Sequence, residues 1–468
     1  MQFIRQYWFI SIARRPRTAG VVLNISQDLT HEKDTRALKP SSRPVYRYGF
    51  DVLMKALKAY SVYLIMKGST GLFFSLIVTV NLVYHTTVVG LTPLQLVLVG
   101  TVLEASVLLF EIPTGVIADV YSRRLSVIIG TVLLGVGFII EGAFPQFEMI
   151  LLAQVIWGIG STFLSGATEA WIADETTLLP DGKRPSLSHV FLRGNQMAQV
   201  GGLVGIGLSI LLASFNITWP IILGGTLYLL LAVFLCLFMP ENGFCPAPKA
   251  ERDSWQATIR TTREGAKLVR GKPTLLAILA IALIMGLAGE GWDRLWTPHL
   301  LENITLPPIG PLDPIVWFGL ISAVSMLLAI GVTEVIRRYI NTDSQSSLVK
   351  TFMGLYGILI VGIVLYGMTT SLATGLVAFW IVGMVHGLLT PLLQTWINQH
   401  AESNVRATVL SIQGQTNALG QMVGGPAVGA IGTYFTLRAA IVTTGFLLLP
   451  VLVVLHRTLR QSKSVCEA

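Results

Sequence analysis

Two acidic side chains stand in an apolar stretch of the sequence, where charge is costly. Glu104 and Glu111 occur in the segment TVLEASVLLFEIP, whose other residues carry no charge. An ionised side chain near the centre of a membrane-spanning helix costs about 2.5–3.5 kcal/mol on insertion scales, and acids found there are commonly proton carriers. Both residues are therefore predicted to couple proton movement to function. A structural, hydrogen-bonded carboxyl group is the alternative for each.

A second polar group occurs in the apolar segment IMGLAGEGWDRLWTPHL. Glu290 and Arg294 are four residues apart, a spacing that permits an ion pair on one helix face, and Asp293 lies beside them. These three residues are predicted to form an outer gate or to contact the substrate. The alternative is a structural pair at the lipid–water boundary, with Trp292 and Trp296 as interfacial anchors.

Two further residues complete the candidates for a gate or a substrate contact. His386 can titrate near physiological pH, with a packed, hydrogen-bonded histidine as the alternative. Gln154 can donate hydrogen bonds but carries no charge. Lys67 lies close enough to the end of its apolar segment for its long side chain to reach the polar boundary.

The composition indicates that membrane-spanning helices position these residues. The chain has 468 residues, of which 53% are hydrophobic and 12% are charged, and its mean hydropathy is +0.67. A soluble protein has about a quarter of its residues charged, so much of this surface must face lipid. Catalytic constellations and metal-ligand clusters are absent from the sequence, and Cys236, Cys245 and Cys466 have no paired spacing. No enzymatic activity, metal or cofactor is predicted.

Twelve segments are long and apolar enough to be transmembrane helices, which need roughly 20 mostly apolar residues each. They are 60–86, 93–117, 125–145, 147–172, 188–213, 218–239, 273–299, 314–336, 348–369, 371–398, 407–431 and 434–456. The sequence thus predicts an all-α membrane protein of twelve transmembrane helices.

The charges of the connecting loops predict the orientation in the membrane. Loops 85–93, 141–148, 213–220 and 367–375 contain no Lys or Arg, whereas the alternate loops are basic. Positive charge is retained on the cytoplasmic side, so a multi-pass protein of the cell membrane with both termini cytoplasmic is predicted. The net charge of +8 is spread between apolar segments, which argues against nucleic acid as a partner.

The chain divides into two halves that resemble each other. The predicted regions are a cytoplasmic tail at 1–58, a six-helix bundle at 59–239, a cytoplasmic linker at 240–272, a second six-helix bundle at 273–457 and a tail at 458–468. EAWIADE at the end of span four resembles QTWINQH at the end of span ten. LRGNQMAQVGG in span five resembles IQGQTNALGQMVGG in span eleven, with Gly194 aligned to Gly414 and Ala198 to Ala418. Such repeats predict two bundles related by pseudo-twofold symmetry.

Span eleven contains a proline among glycines. Proline breaks a backbone hydrogen bond and bends a helix, and small residues let helices approach closely. Pro426, Gly425 and Gly429 are therefore predicted to form a hinge, with tight packing as the alternative.

The turn between spans two and three carries the most specific motif. It resembles the loop Gly-x-x-x-Asp-Arg/Lys-x-Gly-Arg/Lys-Arg/Lys of the major facilitator superfamily, with matches at Gly115, Asp119, Arg123 and Arg124. Val120 and Ser122 depart from the pattern. The resemblance implies a charge clasp that holds the two halves together. Asp119 would lie against the start of span eleven, and Arg123 or Arg124 would pair with acids such as Glu169 and Asp174 at the end of span four. The alternative is that both arginines only set the topology.

Within that superfamily the chain looks most like the drug:proton antiporters related to macrolide and tetracycline efflux proteins. EIPTGVIADVYSRR, GSTFLSGATEAWIADE and GQMVGGPAVG carry this resemblance, while Gln154 stands where many of these antiporters have an arginine. The resemblance implies a monomeric secondary transporter that exports amphiphilic drugs or metabolites against protons by alternating access, with a link to antibiotic resistance. The alternatives are a transporter of one nutrient or metabolite and a transporter-like membrane sensor or scaffold.

Overall fold

The computed structural model describes residues 45–179, 185–246, 271–307, 315–339, 345–401 and 406–467, and all regular structure in these ranges is helical. The helices of the first half are α1 (Val45–Thr87), α2 (Pro93–Val120), α3 (Arg123–Ala143), α4 (Phe147–Leu164), α5 (Ala167–Thr177), α6 (Leu187–Ala213) and α7 (Trp219–Phe238). Those of the second half are α8 (Pro273–Asn303), α9 (Ile315–Tyr339), α10 (Gln345–Met368), α11 (Leu372–His400), α12 (Arg406–Tyr434), α13 (Leu437–Phe446) and α14 (Leu449–Glu467).

These helices confirm the predicted all-α membrane fold. Within the described ranges, ten helical segments are long and apolar enough to cross a membrane, and Ile315–Ala329 of α9 is a shorter apolar helix. Ten of the twelve predicted spans each coincide with one helix. The fourth span coincides with the pair α4 and α5, and the twelfth with the pair α13 and α14. The span at α12 is 29 residues long but more polar than the others, and its Gln413, Asn417 and Gln421 are buried by neighbouring helices.

Two helices extend beyond the predicted limits of the helix bundles. Helix α1 begins at Val45, within the predicted tail 1–58, and α14 continues through most of the predicted tail 458–468 to Glu467. Both extensions have the same reason, because hydropathy locates the apolar part of a helix and not the helix end; the apolar candidate span of α1 begins at Lys58. Residues 1–44, and 247–270 of the predicted linker, lie outside the described residues.

The fourth predicted span is two helices. Gly166 adopts a left-handed backbone conformation with φ of 71°, which costs glycine little because it has no Cβ. Helix α4 ends before this residue and α5 begins after it. The break redirects the segment that carries Glu169 and Asp174.

Glycine contacts show the internal repeat. The backbones of α1 and α6 touch so closely at three glycines that a Cβ added there would overlap a carbonyl group, and the same holds at three glycines for α8 and α12. Between α1 and α6, Gly71 lies against Ala198, Gly201 against Gly68 and Gly205 against Leu72. Between α8 and α12, Gly286 lies against Asn417, Gly420 against Leu283 and Gly424 against Leu287. We call each of these two helix contacts a glycine seam. This constant register pairs Ala198 with Asn417, so the sequence alignment with Ala418 is wrong by one residue.

Candidate transport site and its gates

The two halves meet at one end of the molecule. We call the end that carries the turn at 88–92 the outer end, following the predicted orientation, and the end that carries the turn at 121–122 the inner end. At the outer end the fully buried Val97 of α2 lies beside Gly425 and Gly429 of α12. The backbone N–H of Leu94 donates to Thr433 Oγ1 at 2.9 Å. These residues belong to the first two turns of α2 and the last turns of α12.

The ion pair predicted within α8 is buried at this contact between the halves. Arg294 Nε donates to Glu290 Oε1 at 2.8 Å, and the two residues are only 4% and 3% exposed. Gly100 of α2 leaves room for the pair, because a Cβ there would overlap Glu290 Oε1 and lie 2.6 Å from Arg294 Nε. Gly425 also touches Glu290, and Asp293 is buried beside it. The pair therefore lies buried between protein helices.

The tryptophans of this segment are part of the core of the second half. Trp292 is 1% exposed, with its ring 5.2 Å from Tyr366, and Trp296 lies 4.6 Å from Phe379. The alternative interpretation of Trp292 as an interfacial anchor is wrong, because hydropathy does not show which side of an apolar helix faces lipid.

Glu104 and Glu111 continue the face of α2 that meets the second half. They lie seven and fourteen residues after Val97, and a seven-residue interval is about two helical turns. Val97 and Gly100 are buried, whereas Glu104 and Glu111 are partly exposed. This face of α2 is thus more open around Glu104 and Glu111 than it is at Val97 and Gly100.

At the inner end, Arg123 contacts Asp174. The Arg123 guanidinium forms an ion pair with the Asp174 carboxylate and also donates to the Ala170 carbonyl at 3.1 Å. Both partners belong to the first half, so this pair fixes the turn between α2 and α3 to α5 and does not bridge the halves. Gly115 is buried and Asp119 is partly exposed on α2. Residues 402–405, which precede span eleven, lie outside the described residues, and the predicted contact of Asp119 with the start of that span stays a prediction.

Glu169 has a different partner from the one predicted. Lys67 Nζ donates to Glu169 Oε1 at 2.8 Å, and the two side chains are only 11% and 14% exposed. This ion pair joins α1 to α5. Lys67 therefore pairs within the protein, where the sequence indicated that it reaches the membrane boundary. The reason is that the turn at Gly166 brings α5 against α1.

The segment after α7 completes the inner end, and sequence reasoning missed its role. Glu241 accepts hydrogen bonds from Ser122 Oγ at 2.7 Å and from the backbone N–H of Arg124 at 2.9 Å, so it caps the start of α3. Glu175 accepts from the backbone N–H groups of Asn242 and Gly243. The residues that open the predicted linker are therefore fixed to the first half. The only sequence signal was an acid directly after the last apolar residue of span six.

A fully buried polar cluster lies at the outer end of the first half. His85 Nε2 is 2.7 Å from Glu141 Oε1, and Asn81 Nδ2 donates to the same oxygen at 3.0 Å. Gln154 Nε2 donates to Glu141 Oε2 at 3.3 Å. Gln154 is 0% exposed, so the structure places it inside the first half and away from any substrate-facing surface. Sequence reasoning missed His85 and Glu141 because both lie at the ends of predicted spans, where the spans overlap the loop segments 85–93 and 141–148.

The remaining candidates lie in the second half. His386 is partly exposed on α11, and open space surrounds the Cα of the neighbouring Gly387. Pro426 lies within α12, where Gly425 and Gly429 pack against α2. The glycines thus serve close packing in this conformation, and the hinge stays a prediction.

Comparisons with known proteins agree with this architecture. A family model described as Major Facilitator Superfamily matches residues 62–425. The chain is 24% identical over 369 residues to the MFS-type transporter YxaM of Bacillus subtilis (strain 168), covering 77% of this chain and 86% of that protein. The crystal structure of a mutant of the nucleoside transporter NupG is similar, with a TM-score of 0.68 at 11% identity, covering 85% of this chain and 99% of that one. A bacterial homolog of the human lysosomal transporter Spinster, inward-facing and unoccupied, has a TM-score of 0.66 at 15% identity, covering 87% and 97%.

Proposed function

Because the chain belongs to the Major Facilitator Superfamily of membrane transporters, we propose that it exports amphiphilic small molecules in exchange for protons by alternating access. It acts as a monomer in the cell membrane, with both termini in the cytoplasm. The halves are the moving bodies, and the surface between them holds the substrate. The described arrangement, in contact at the outer end, is the inward-facing state of this cycle.

The observation that carries proton coupling is the position of Glu104 and Glu111. Both lie on the face of α2 that continues from the closed contact into its more open part. A carboxyl group at this position meets a different environment in each state, since closure of the inner end would bury it. Binding and release of a proton can then follow the direction in which the cavity opens.

Glu290, Arg294 and Gly100 form the outer gate. Closure of the outer end fits the glycine of α2 over the ion pair of α8, so the pair is protected from water only in this state. Opening would separate Gly100 from the pair and solvate the charges. The geometry supports a gate better than a substrate contact, since a buried ion pair has no face left for a ligand.

The inner-end contacts support movement of the first half as one body. Arg123 with Asp174, Lys67 with Glu169 and Glu241 with the start of α3 all connect elements of that half. The proposed clasp thus has an internal part, which the structure describes, and a part toward span eleven through Asp119, which stays a prediction.

Dye efflux from proteoliposomes tests the proposal. The purified protein would be reconstituted with ethidium as an amphiphilic probe, and efflux would be followed after a pH gradient is imposed in either direction. Gradient-driven efflux is expected from the wild type. Glu104→Gln is expected to lower the gradient-dependent rate about tenfold or more, because the substitution keeps this side chain in an uncharged form. The matched control is Glu148→Gln, which changes an exposed glutamate at the start of α4.

Two results would contradict the proposal. Efflux that ignores the gradient excludes proton coupling, and wild-type behaviour of both Glu104→Gln and Glu111→Gln excludes coupling through α2. Saturable binding of one metabolite without dye efflux would instead favour a transporter of a single solute.

A further inference from the structure

The buried cluster around Glu141 has more polar atoms than it has partners. Glu141 is 0% and His85 is 1% exposed. Asn81 Oδ1, His85 Nδ1 and Gln154 Oε1 are also buried, and none has a hydrogen-bond partner among the described residues. Buried polar atoms without partners are rare and costly, so three around one carboxyl group call for an explanation.

The charge of the cluster depends on a single proton. With one proton shared between Glu141 Oε1 and His85 Nε2, the cluster is either a neutral acid with imidazole or a carboxylate with imidazolium. Both forms have no net charge. Loss of that proton leaves a carboxylate facing a neutral ring. Asn81 and Gln154 donate hydrogen bonds to this carboxylate but carry no charge, so proton loss leaves a buried net charge, which favours entry of water or movement of helices.

The groups around the cluster offer no substitute for this proton. Helix α1 contributes the Tyr84 hydroxyl, which donates to the Glu141 carbonyl at 2.9 Å. Helix α4 contributes the uncharged Gln154, and α7 contributes the isoleucines 221 and 222 beside Gly142. The described contacts of the carboxylate itself include no Lys or Arg.

The second half builds the equivalent corner without an acid. In the first half Tyr84 contacts the carbonyl of Glu141, and in the second half His299 contacts the carbonyl of Tyr366 in the same way. Likewise Gly142 contacts Ile221 in the first half, and Gly367 contacts Ile441 in the second. Tyr366 therefore replaces Glu141, and Leu300, the residue after His299, replaces His85. Tyr366 and Leu300 are each 1% exposed, so this helix corner packs well without a carboxyl group. Fold stability alone does not account for the acid in the first half.

The cluster is also linked to the contact between the halves. Val83, two residues before His85, and Ile150, four residues before Gln154, belong to the hydrophobic cluster that contains Leu300 of α8 and Ile304 directly after it. A shift of α1 or α4 at the polar cluster would therefore disturb the outer contact.

We propose that His85 and Glu141 together bind one proton whose release loosens the outer contact between the two halves. The proton leaves for water, and the carboxylate that remains favours an opened, hydrated outer end. This inference rests on the proposed function, because it identifies the groups whose protonation controls opening of the outer gate. These groups are distinct from Glu104 and Glu111.

Thiol labelling tests the inference without a substrate or a gradient. Val97→Cys, in a chain carrying C236S, C245S and C466S, places a thiol at the fully buried contact between α2 and α12. Its reaction rate with N-ethylmaleimide would be measured in liposomes from pH 5 to 9. Dividing each rate by that of the Glu141→Gln variant at the same pH removes the intrinsic pH dependence of the thiol. The ratio is expected to rise with pH, by up to about tenfold per pH unit for a single proton.

Controls separate this site from other titrating groups. Glu148→Gln, at the same end of the molecule but exposed, is expected to leave the pH profile of labelling unchanged. If Glu141→Gln does not yield folded protein, His85→Gln decides in the same assay by shifting the midpoint. A ratio that stays flat across the pH range would overturn the inference. Gradient-driven efflux with a flat ratio would place coupling elsewhere, whereas a titrating ratio without efflux would uphold this site and reject the proposed transport.

Discussion

Gly100→Ala is expected to weaken the closed outer end. The added Cβ would occupy the position of Glu290 Oε1 and would lie 2.6 Å from Arg294 Nε. Both obstacles are ends of long side chains, so the ion pair has to move while the helices remain intact. A pair that is 3% and 4% exposed has little room to move inside the contact. The relief available is separation of α2 from α8.

The size of the effect follows from the packing. An extra methyl group in a well-packed core costs about 1–3 kcal/mol. Complete loss of one partner from a buried ion pair would cost about 3–5 kcal/mol, which sets the upper limit. Because every 1.4 kcal/mol is about a tenfold change in an equilibrium constant, the closed population is expected to fall by about 5- to 150-fold relative to the open one. The substitution acts on this equilibrium, since in a helix interior alanine is otherwise favoured over glycine by about 1 kcal/mol.

Labelling of Val97→Cys measures this shift directly, and Gly100→Ala is expected to accelerate the reaction by about the same factor. Gly207→Ala is the matched control, because a Cβ at that helical position of α6 has no atom within 4 Å. In a Glu290→Ala background, Gly100→Ala is expected to have a smaller effect, because the main obstacle has been removed. Equal labelling of Gly100→Ala and Gly207→Ala would refute the assignment of Gly100 as the clearance for the gate.

Two further predictions concern the inner end. Glu241→Ala removes the acceptor of the Arg124 N–H at the start of α3, while Ser122 Oγ still accepts from the Leu125 N–H. The variant is expected to lower the free energy of unfolding in mixed micelles by about 0.5–2 kcal/mol. Glu148→Ala, which removes an exposed glutamate, is expected to have a smaller effect, and equal losses would contradict the capping role of Glu241. Lys67→Ala and Glu169→Ala are each expected to lower the free energy of unfolding, because each leaves a largely buried partner uncompensated. The double variant is expected to lose less stability than the sum of the two single losses, and additive losses would rule out the pair.

The sequence predicts where the helices are because their signals are local. Helix α3 is predicted at 125–145 and runs from Arg123 to Ala143, since apolar residues and charged turns mark both ends. The charged motif at 115–124 likewise indicates the turn that Arg123 fixes to α5. The break at Gly166 is harder to predict, because a glycine within an apolar helix fits helix packing as well as a left-handed turn.

Contacts between helices are much less predictable. Lipid and a protein core are equally apolar, so hydropathy cannot show that Trp292 and Gln154 face inward. His85 and Glu141 are close only because α1 and α3 end side by side, and each on its own resembles a loop residue. The repeat illustrates the same limit, since its small residues can be aligned in neighbouring registers and only the backbone contacts of Gly71 and Gly286 select one.

The two kinds of contact explain why movement would occur between the halves. Within each half, glycines bring backbones together along whole seams, and such packing is lost completely when helices separate. The described contact between halves places Gly100 of α2 over the Glu290–Arg294 pair, Gly425 and Gly429 of α12 beside α2, and one hydrogen bond from Leu94 to Thr433. Both charges of the pair belong to α8, so opening exposes the pair to water without separating it, and the recovered solvation lowers the cost of opening. The outer gate can therefore stabilise the closed state without preventing opening. One proton bound by His85 and Glu141 would then shift the equilibrium between the closed and open states.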